Sequence, residues 1–122
     1  FGGNPLACSV VLEVINSVSK KRLLSNVLKK EKLFIKKLDA INAKLKCFER
    51  INTAGLWIGC KLKVTDSINL DTVLQQCYKN GLMVLKANNN TIRIAPSLII
   101  EDKLINSGLD ILEKSIAQLQ KA

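Results

Sequence analysis

The sequence predicts an α+β domain in which a small antiparallel sheet has helices packed on one face. Two long segments, at residues 22–46 and from residue 101 onward, place apolar residues at the three-to-four spacing of amphipathic helices. Between them, short apolar runs separated by turn-forming residues are typical of strands. The predicted order is ααββαββα, which is a layered arrangement with one core. A length of 122 residues, 48% of them hydrophobic, fits a single domain over residues 1–122.

The N-terminal third of the chain predicts two helices. Asn4 is a favourable N-cap and Pro5 suits the first position of a helix that runs to about Val18. This helix is apolar on several sides, so we expect another part of a larger protein to cover it. A second helix, from about Arg22 to Lys46, combines an apolar stripe with a lysine-rich outer face.

The middle of the chain predicts two strands, at residues 48–51 and 56–64, separated by a break at residues 52–55. The second strand is rich in apolar residues and alternates towards its end. The intervening Asn52-Thr53-Ala54-Gly55 is rich in turn-forming residues.

The C-terminal part predicts a helix, a hairpin and a second helix. The first helix covers residues 70–79 and is closed by Asn80-Gly81. Strands at residues 82–86 and 91–95 surround an asparagine-rich turn and form the hairpin. The final helix starts at Glu101-Asp102, because negative charges favour a helix N-terminus.

The formal net charge of +9 is a feature shared with nucleic-acid-binding proteins. Almost all of the basic residues are lysines, sixteen against three arginines, and only 4% of the residues are aromatic. A solvated lysine face is therefore favoured over an anionic partner. No apolar run approaches the ~18 residues needed to span a bilayer, and the N-terminus has no secretory pattern. We expect a cytoplasmic protein that binds neither nucleic acid nor membrane.

The sequence offers no catalytic set of its own. It contains no histidine, which excludes serine–histidine and cysteine–histidine arrangements. Cys8, Cys47, Cys60 and Cys77 lack C-x-x-C spacing, so we expect no metal site. Reduced, partly buried thiols are the expected state of these cysteines. By itself the chain is predicted to be inactive.

Arg93 is the main candidate binding residue. It lies among Ile92, Ile94 and Ala95 near the end of a half-buried strand, and no acid is close to it in sequence. An unpaired buried charge is costly. From the residues alone, a salt bridge to a remote acid, an outward-pointing side chain and a ligand carboxylate all remain open.

The Gly2-Gly3 pair before Asn4 is a second, weaker candidate. Glycine permits backbone angles closed to other residues and allows another chain or a phosphate to approach closely. The alternative is a flexible lead into the helix cap.

Several segments together resemble the C-terminal small domain of class III, pyridoxal-phosphate-dependent aminotransferases. They are Phe1-Gly2-Gly3-Asn4-Pro5-Leu6-Ala7-Cys8, Gly55-Leu56, Ile58-Gly59-Cys60, Gly81-Leu82-Met83-Val84-Leu85, Arg93, Ala95-Pro96-Ser97-Leu98, Glu101-Asp102 and Gly108. The Met-Val-Leu and Ala-Pro-Ser-Leu pieces are most similar to the acetylornithine/succinyldiaminopimelate group.

The resemblance implies a homodimer with pyridoxal 5'-phosphate at the subunit interface. It places the Schiff-base lysine and the cofactor's aspartate upstream of this chain. It assigns the substrate α-carboxylate to Arg93, and a position next to the cofactor and the dimer interface to Phe1, Gly2, Gly3 and Asn4. The implied reaction moves an amino group between N-acetylornithine and 2-oxoglutarate, in arginine or lysine biosynthesis.

The chain starts at Phe1 without an initiator methionine, and we expect it to be the tail of a longer protein. Three alternatives stay open at this point: another class III aminotransferase (succinylornithine, ornithine or 4-aminobutyrate), a basic α+β interaction module, and a decayed remnant.

Two departures from the family pattern bear on these alternatives. Asn52-Thr53 replaces the usual Arg-Gly, which is expected to weaken a local salt bridge or turn, and Ile94 replaces a phenylalanine after the arginine.

Overall fold

The computed structural model describes residues 2–121, and the predicted order of elements is confirmed. The elements are α1 (Pro5–Val18), α2 (Lys21–Leu45), β1 (Phe48–Ala54), β2 (Trp57–Leu62), α3 (Leu70–Lys79), β3 (Leu85–Ala87), β4 (Thr91–Ile94) and α4 (Asp102–Gln120). The predicted α+β class is therefore also confirmed.

The four strands form one antiparallel sheet in the order β1-β2-β4-β3. Successive side chains of a strand point to opposite faces. On one face, Ile58, Cys60 and Ile92 are buried in the core. Helices α2, α3 and α4 supply the other side of that core, with side chains such as Leu38 and Leu112. The opposite face of the sheet, called the open face below, contains Arg50, Asn52, Ala54, Trp57, Gly59, Lys61, Leu85, Ala87, Thr91 and Arg93.

The first hairpin is longer than the sequence predicts. Strand β1 continues to Ala54, so the predicted break at residues 52–55 is wrong for its first three residues. Asn52 and Thr53 each pair with a residue of β2, and only Gly55 and Leu56 form the turn. Gly55 has a φ of +61°, and its N–H donates to Glu31 Oε1 at 3.1 Å. The turn is therefore attached to α2 through the hydrogen bond of the Gly55 N–H.

Strand β3 begins at Leu85 rather than at the predicted residue 82. The reason is the end of α3, where Gly81 has a φ of +86°. The Gly81 N–H donates to the Tyr78 carbonyl at 3.0 Å, and the Leu82 N–H donates to the Cys77 carbonyl at 2.9 Å. This double closure is a Schellman motif, which uses the first residues that would otherwise enter the strand.

Helix α1 is apolar, as predicted, and no residue of Pro5–Val18 is buried. Its exposed apolar side chains are Leu6, Val10, Val11, Leu12, Val14 and Ile15. Cover by another part of a larger protein stays a prediction. Within residues 2–121, none of the helices combines the length and the apolar character needed to cross a bilayer.

Three lysines of α2, spaced seven residues apart, pair with acids of α4. The pairs are Lys30–Asp102 at 2.8 Å, Lys37–Asp110 at 3.0 Å and Lys44–Glu113 at 2.9 Å. Seven residues correspond to about two helical turns, so the three lysines follow one stripe of α2. Part of the predicted lysine face is therefore neutralised within the domain.

Candidate functional site

Arg93 lies on the open face of the sheet. Its neighbours in β4 are Ile92, which is fully buried, and Ile94, which packs against the core from the helix side. Because a strand alternates, the Arg93 side chain points away from the helices. In the strand pairing, Gly59 of β2 lies opposite Arg93 on one side, and Leu85 of β3 lies opposite it on the other.

Trp57 is the nearest aromatic partner of Arg93. It precedes Gly59 by two residues in β2, so it lies on the same open face. The Arg93 Cζ atom is 5.8 Å from the centre of the Trp57 ring, within the range of a cation–π contact. The Trp57 side chain is 62% exposed. Sequence reasoning missed this pair, although the two-residue step from Trp57 to Gly59 signals a shared face.

The Arg93 head group has no acidic partner in the part of the chain that the structure describes. Its Nε atom is buried and makes no hydrogen bond, and none of the ion pairs within residues 2–121 involves Arg93. A buried donor without an acceptor costs roughly 1–3 kcal/mol. A guanidinium fork suits a carboxylate, and the assignment of a substrate carboxylate to Arg93 stays a prediction.

Arg93 also lines an apolar cavity of about 360 Å³ between α4, the segment before β3 and the end of β4. Every other lining residue is apolar or glycine, for example Pro96, Leu104 and Gly108. The cavity offers no second polar side chain to a ligand.

The glycine loop before α1 is exposed and open. Gly3 has a φ of +85°, and no atom lies within 4 Å of the positions where Gly2 or Gly3 would place a Cβ. Asn4 Oδ1 accepts from the N–H groups of Leu6 at 2.9 Å and Ala7 at 3.3 Å, which confirms its predicted capping role. Phe1 lies outside the described residues. The proposed place of this loop beside the cofactor stays a prediction.

Three of the four cysteines are buried and Cys8 is exposed. The prediction of partial burial is therefore wrong for Cys8, because α1 is uncovered. Burial raises the pKa of Cys47 to about 11 and that of Cys60 to about 12, and it also raises the pKa of Cys77. None of the four forms a disulfide within residues 2–121, and no group of metal-ligating side chains gathers there. The buried thiols behave as small apolar side chains.

The two departures from the family pattern lie close to Arg93 in the sheet. Asn52 pairs with Gly59, so Asn52, Gly59 and Arg93 form one cross-strand row on the open face. Thr53 and Ile94 both pair with Ile58, on the helix side. Asn52 and Thr53 lie inside β1 rather than in a turn, and the expected weakening of a local salt bridge stays a prediction.

A comparison with protein families decides the classification. The family model described as Aminotransferase class-III matches residues 1–116. The chain belongs to the class III aminotransferase family. Over 119 residues it is 42% identical to acetylornithine aminotransferase of Vibrio parahaemolyticus, an alignment that covers 98% of this chain and 30% of the relative. Over 113 residues it is 44% identical to acetylornithine/succinyldiaminopimelate aminotransferase of Buchnera aphidicola, covering 93% and 26%.

A solved structure has the same fold. The crystal structure of N-acetylornithine aminotransferase from Stenotrophomonas maltophilia superposes with a TM-score of 0.87 at 28% identity, covering 98% of this chain and 33% of that chain. The predicted aminotransferase fold is thereby confirmed. This class III aminotransferase chain spans about 30% of the length of the curated relatives that it matches.

Proposed function

We propose that this chain is the C-terminal small domain of an acetylornithine/succinyldiaminopimelate aminotransferase. The complete protein transfers an amino group from an N-acylated diamino acid to 2-oxoglutarate, in arginine and lysine biosynthesis. Identities of 42% and 44% to relatives with these names support the choice within the family. The role of this chain is inferred from one observation: the Arg93 guanidinium has no acidic partner within residues 2–121.

The family implies pyridoxal 5'-phosphate as cofactor, and the described residues alone do not fit it. All lysines of residues 2–121 are exposed or half-buried, so none is enclosed in a pocket as a Schiff-base lysine requires. The cofactor supplies the electron sink of the reaction when it is bound to the complete protein. The proposal therefore places the Schiff-base lysine and the cofactor's aspartate outside this chain.

The contribution of this chain is to bind and orient the substrate. An arginine fork holds a carboxylate through two parallel hydrogen bonds, which fixes its direction as well as its position. The amino donor and 2-oxoglutarate each have an α-carboxylate, so one arginine serves both halves of the reaction. Fixing this end of the substrate places the reacting carbon and lowers the entropic part of the barrier.

The proposal includes a cytoplasmic homodimer, with the loop at residues 1–4 near the cofactor and the other subunit. The uncovered apolar surface of α1 supports a large neighbouring surface in the complete protein. The open space around Gly2 and Gly3 supports close approach at the loop. Three buried, unpaired cysteines support a reducing compartment.

A panel of amino donors tests the proposed function. The complete protein is assayed with 2-oxoglutarate and, in turn, N-acetylornithine, N-succinyl-diaminopimelate, N-succinylornithine, ornithine and 4-aminobutyrate. We expect the highest kcat/KM with N-acetylornithine or N-succinyl-diaminopimelate, and no turnover by residues 1–122 alone. A preference for ornithine or 4-aminobutyrate would place the protein in another group of the family, and inactivity with every donor would favour a non-catalytic remnant.

A further inference from the structure

We propose that Trp57 is a positioning residue for Arg93: its ring holds the guanidinium on the open face, where the substrate carboxylate is bound. This inference rests on the proposed function of Arg93. Trp57 itself does not touch substrate in this proposal and acts only through the arginine.

The geometry on the open face carries the proposal. The Arg93 Cζ atom is 5.8 Å from the centre of the Trp57 ring, and a cation–π contact extends to about 6 Å. Gly59, the residue opposite Arg93 on β2, has no side chain to occupy the space between the strands. A Cβ at Gly59 would lie 3.3 Å from Thr91 Cγ2, so the sheet is tight at this position. The Arg93 guanidinium therefore lies near the ring of Trp57, two residues before Gly59 on the same face of β2.

Because Arg93 has no polar partner within residues 2–121, the Trp57 ring is the group that orients its side chain in this proposal. Arg93 has many rotamers, and an ion pair or a hydrogen bond would normally select one of them. No acid does so within residues 2–121, and the Nε atom is without an acceptor. A ring contact selects an orientation without using any N–H group, so the donors of the fork stay available for a carboxylate.

An aromatic ring is required for this effect, because the attraction arises from the ring quadrupole. Leucine provides apolar area without a quadrupole, and phenylalanine provides a weaker quadrupole. Trp57 is the only tryptophan of the chain. The alternative is that Trp57 merely packs against another part of the complete protein, in which case its loss lowers stability and leaves substrate binding unchanged.

The test uses the complete protein with its cofactor bound, in four variants: Trp57→Leu, Trp57→Phe, Arg93→Ala and the double variant Trp57→Leu/Arg93→Ala. Tyr78→Leu is the matched control, because Tyr78 is also a surface aromatic, 76% exposed, on α3. We expect Trp57→Leu to raise KM for both the amino donor and 2-oxoglutarate by about 2- to 5-fold. Trp57→Phe retains most of the binding, and Tyr78→Leu matches the unmodified protein.

The double variant separates positioning from packing. If the ring acts through the arginine, adding Trp57→Leu to Arg93→Ala causes no further loss of kcat/KM. Equal losses with and without Arg93, or an unchanged KM in Trp57→Leu, would overturn the inference while leaving the role of Arg93 intact. Unchanged turnover of Arg93→Ala would instead overturn the carboxylate assignment, and the inference with it.

Discussion

Gly59 and Arg93 face each other across the pairing of β2 with β4. A glycine at this place adds no side chain between Asn52 and Arg93 in this cross-strand row of the open face. The apolar neighbours of Arg93 in β4 are fixed in the core. A strand anchored in the core thus presents a cation on the open face, as the proposed carboxylate-binding role of Arg93 requires.

Replacing Arg93 is expected to impair catalysis in the complete protein without unfolding it. A charge-assisted contact to a carboxylate contributes about 1.5–3 kcal/mol, and an unpaired substrate carboxylate adds to the loss. Arg93→Ala should therefore lower kcat/KM by roughly two to three orders of magnitude in steady-state assays. Both half-reactions should slow, because both substrates have an α-carboxylate.

Two controls belong to the Arg93 experiment. Arg93→Lys should recover only part of the activity, because a point charge does not reproduce the fork. Cofactor content and thermal stability should change little. Damage confined to stability, with normal kcat/KM in the folded fraction, would assign Arg93 a purely structural role.

Helix α1 is expected to make residues 1–122 self-associate when they are produced alone. Its apolar side chains, among them Leu12 and Ile15, are at least half exposed, and large exposed apolar patches promote association. Sedimentation over rising concentration should show species larger than the monomer, and Leu12→Lys/Ile15→Lys should shift them back. Tyr78→Lys, at an exposed site on α3, is the control for adding a lysine to the surface outside α1. A clean monomer that binds no apolar dye would contradict this prediction.

Two glycines with positive φ should differ in the cost of adding a methyl group. Gly81 has open space where a Cβ would lie, so Gly81→Ala incurs only the left-handed backbone penalty, about 1–2 kcal/mol. At Gly55 the added Cβ would lie 3.0 Å from Val27 Cγ1, so Gly55→Ala should lower the free energy of unfolding further. Urea unfolding measures both, with Gly2→Ala as the unstrained reference. Equal losses at Gly55 and Gly81 would mean that Val27 moves aside.

The cysteines should divide into one reactive thiol and three protected thiols. In the folded chain at about pH 8, a thiol-directed alkylating reagent should modify Cys8 alone, and all four after denaturation. Mass spectrometry of the labelled chain gives the count directly. Rapid modification of Cys47, Cys60 or Cys77 in the native chain would show that their burial is incomplete.

The same burial predicts a loss of stability in alkali. Because the folded pKa values of Cys47 and Cys60 are raised above the ordinary 9.0 to about 11 and about 12, the unfolded state ionises first. The contribution of these protonated thiols to the free energy of unfolding is complete below the unfolded pKa. It is lost as the pH rises through the folded pKa values. Urea unfolding at rising pH should show this decline, and Cys60→Ala should make it shallower. An identical slope in Cys60→Ala would show that burial of the Cys60 thiol does not cause the decline.

Periodic features of the sequence were sufficient to predict most of the fold. Apolar spacing gave α2 and α4, and Asn4 and Gly81 marked helix ends because their capping chemistry is local. The end of β1 was mispredicted because its pairing with β2 extends to Ala54. The start of β3 was mispredicted because the closure of α3 takes up Gly81 and Leu82. Likewise, the position of Arg93 on a strand was predictable, whereas its contact with Trp57 depends on which strands are neighbours.

The ion pairs between α2 and α4 have a consequence for how the two helices are aligned along their axes. Each exposed pair contributes little to the free energy of folding. Yet the three lysines are evenly spaced along α2, so sliding α2 along α4 by one turn, about 5.4 Å, would separate every pair at once. Because only Lys46 and Cys47 connect α2 to β1, the axial position of α2 also sets where β1 starts. The row of ion pairs thus favours one axial position of α2, and with it one placement of the strand pair on which Trp57 lies.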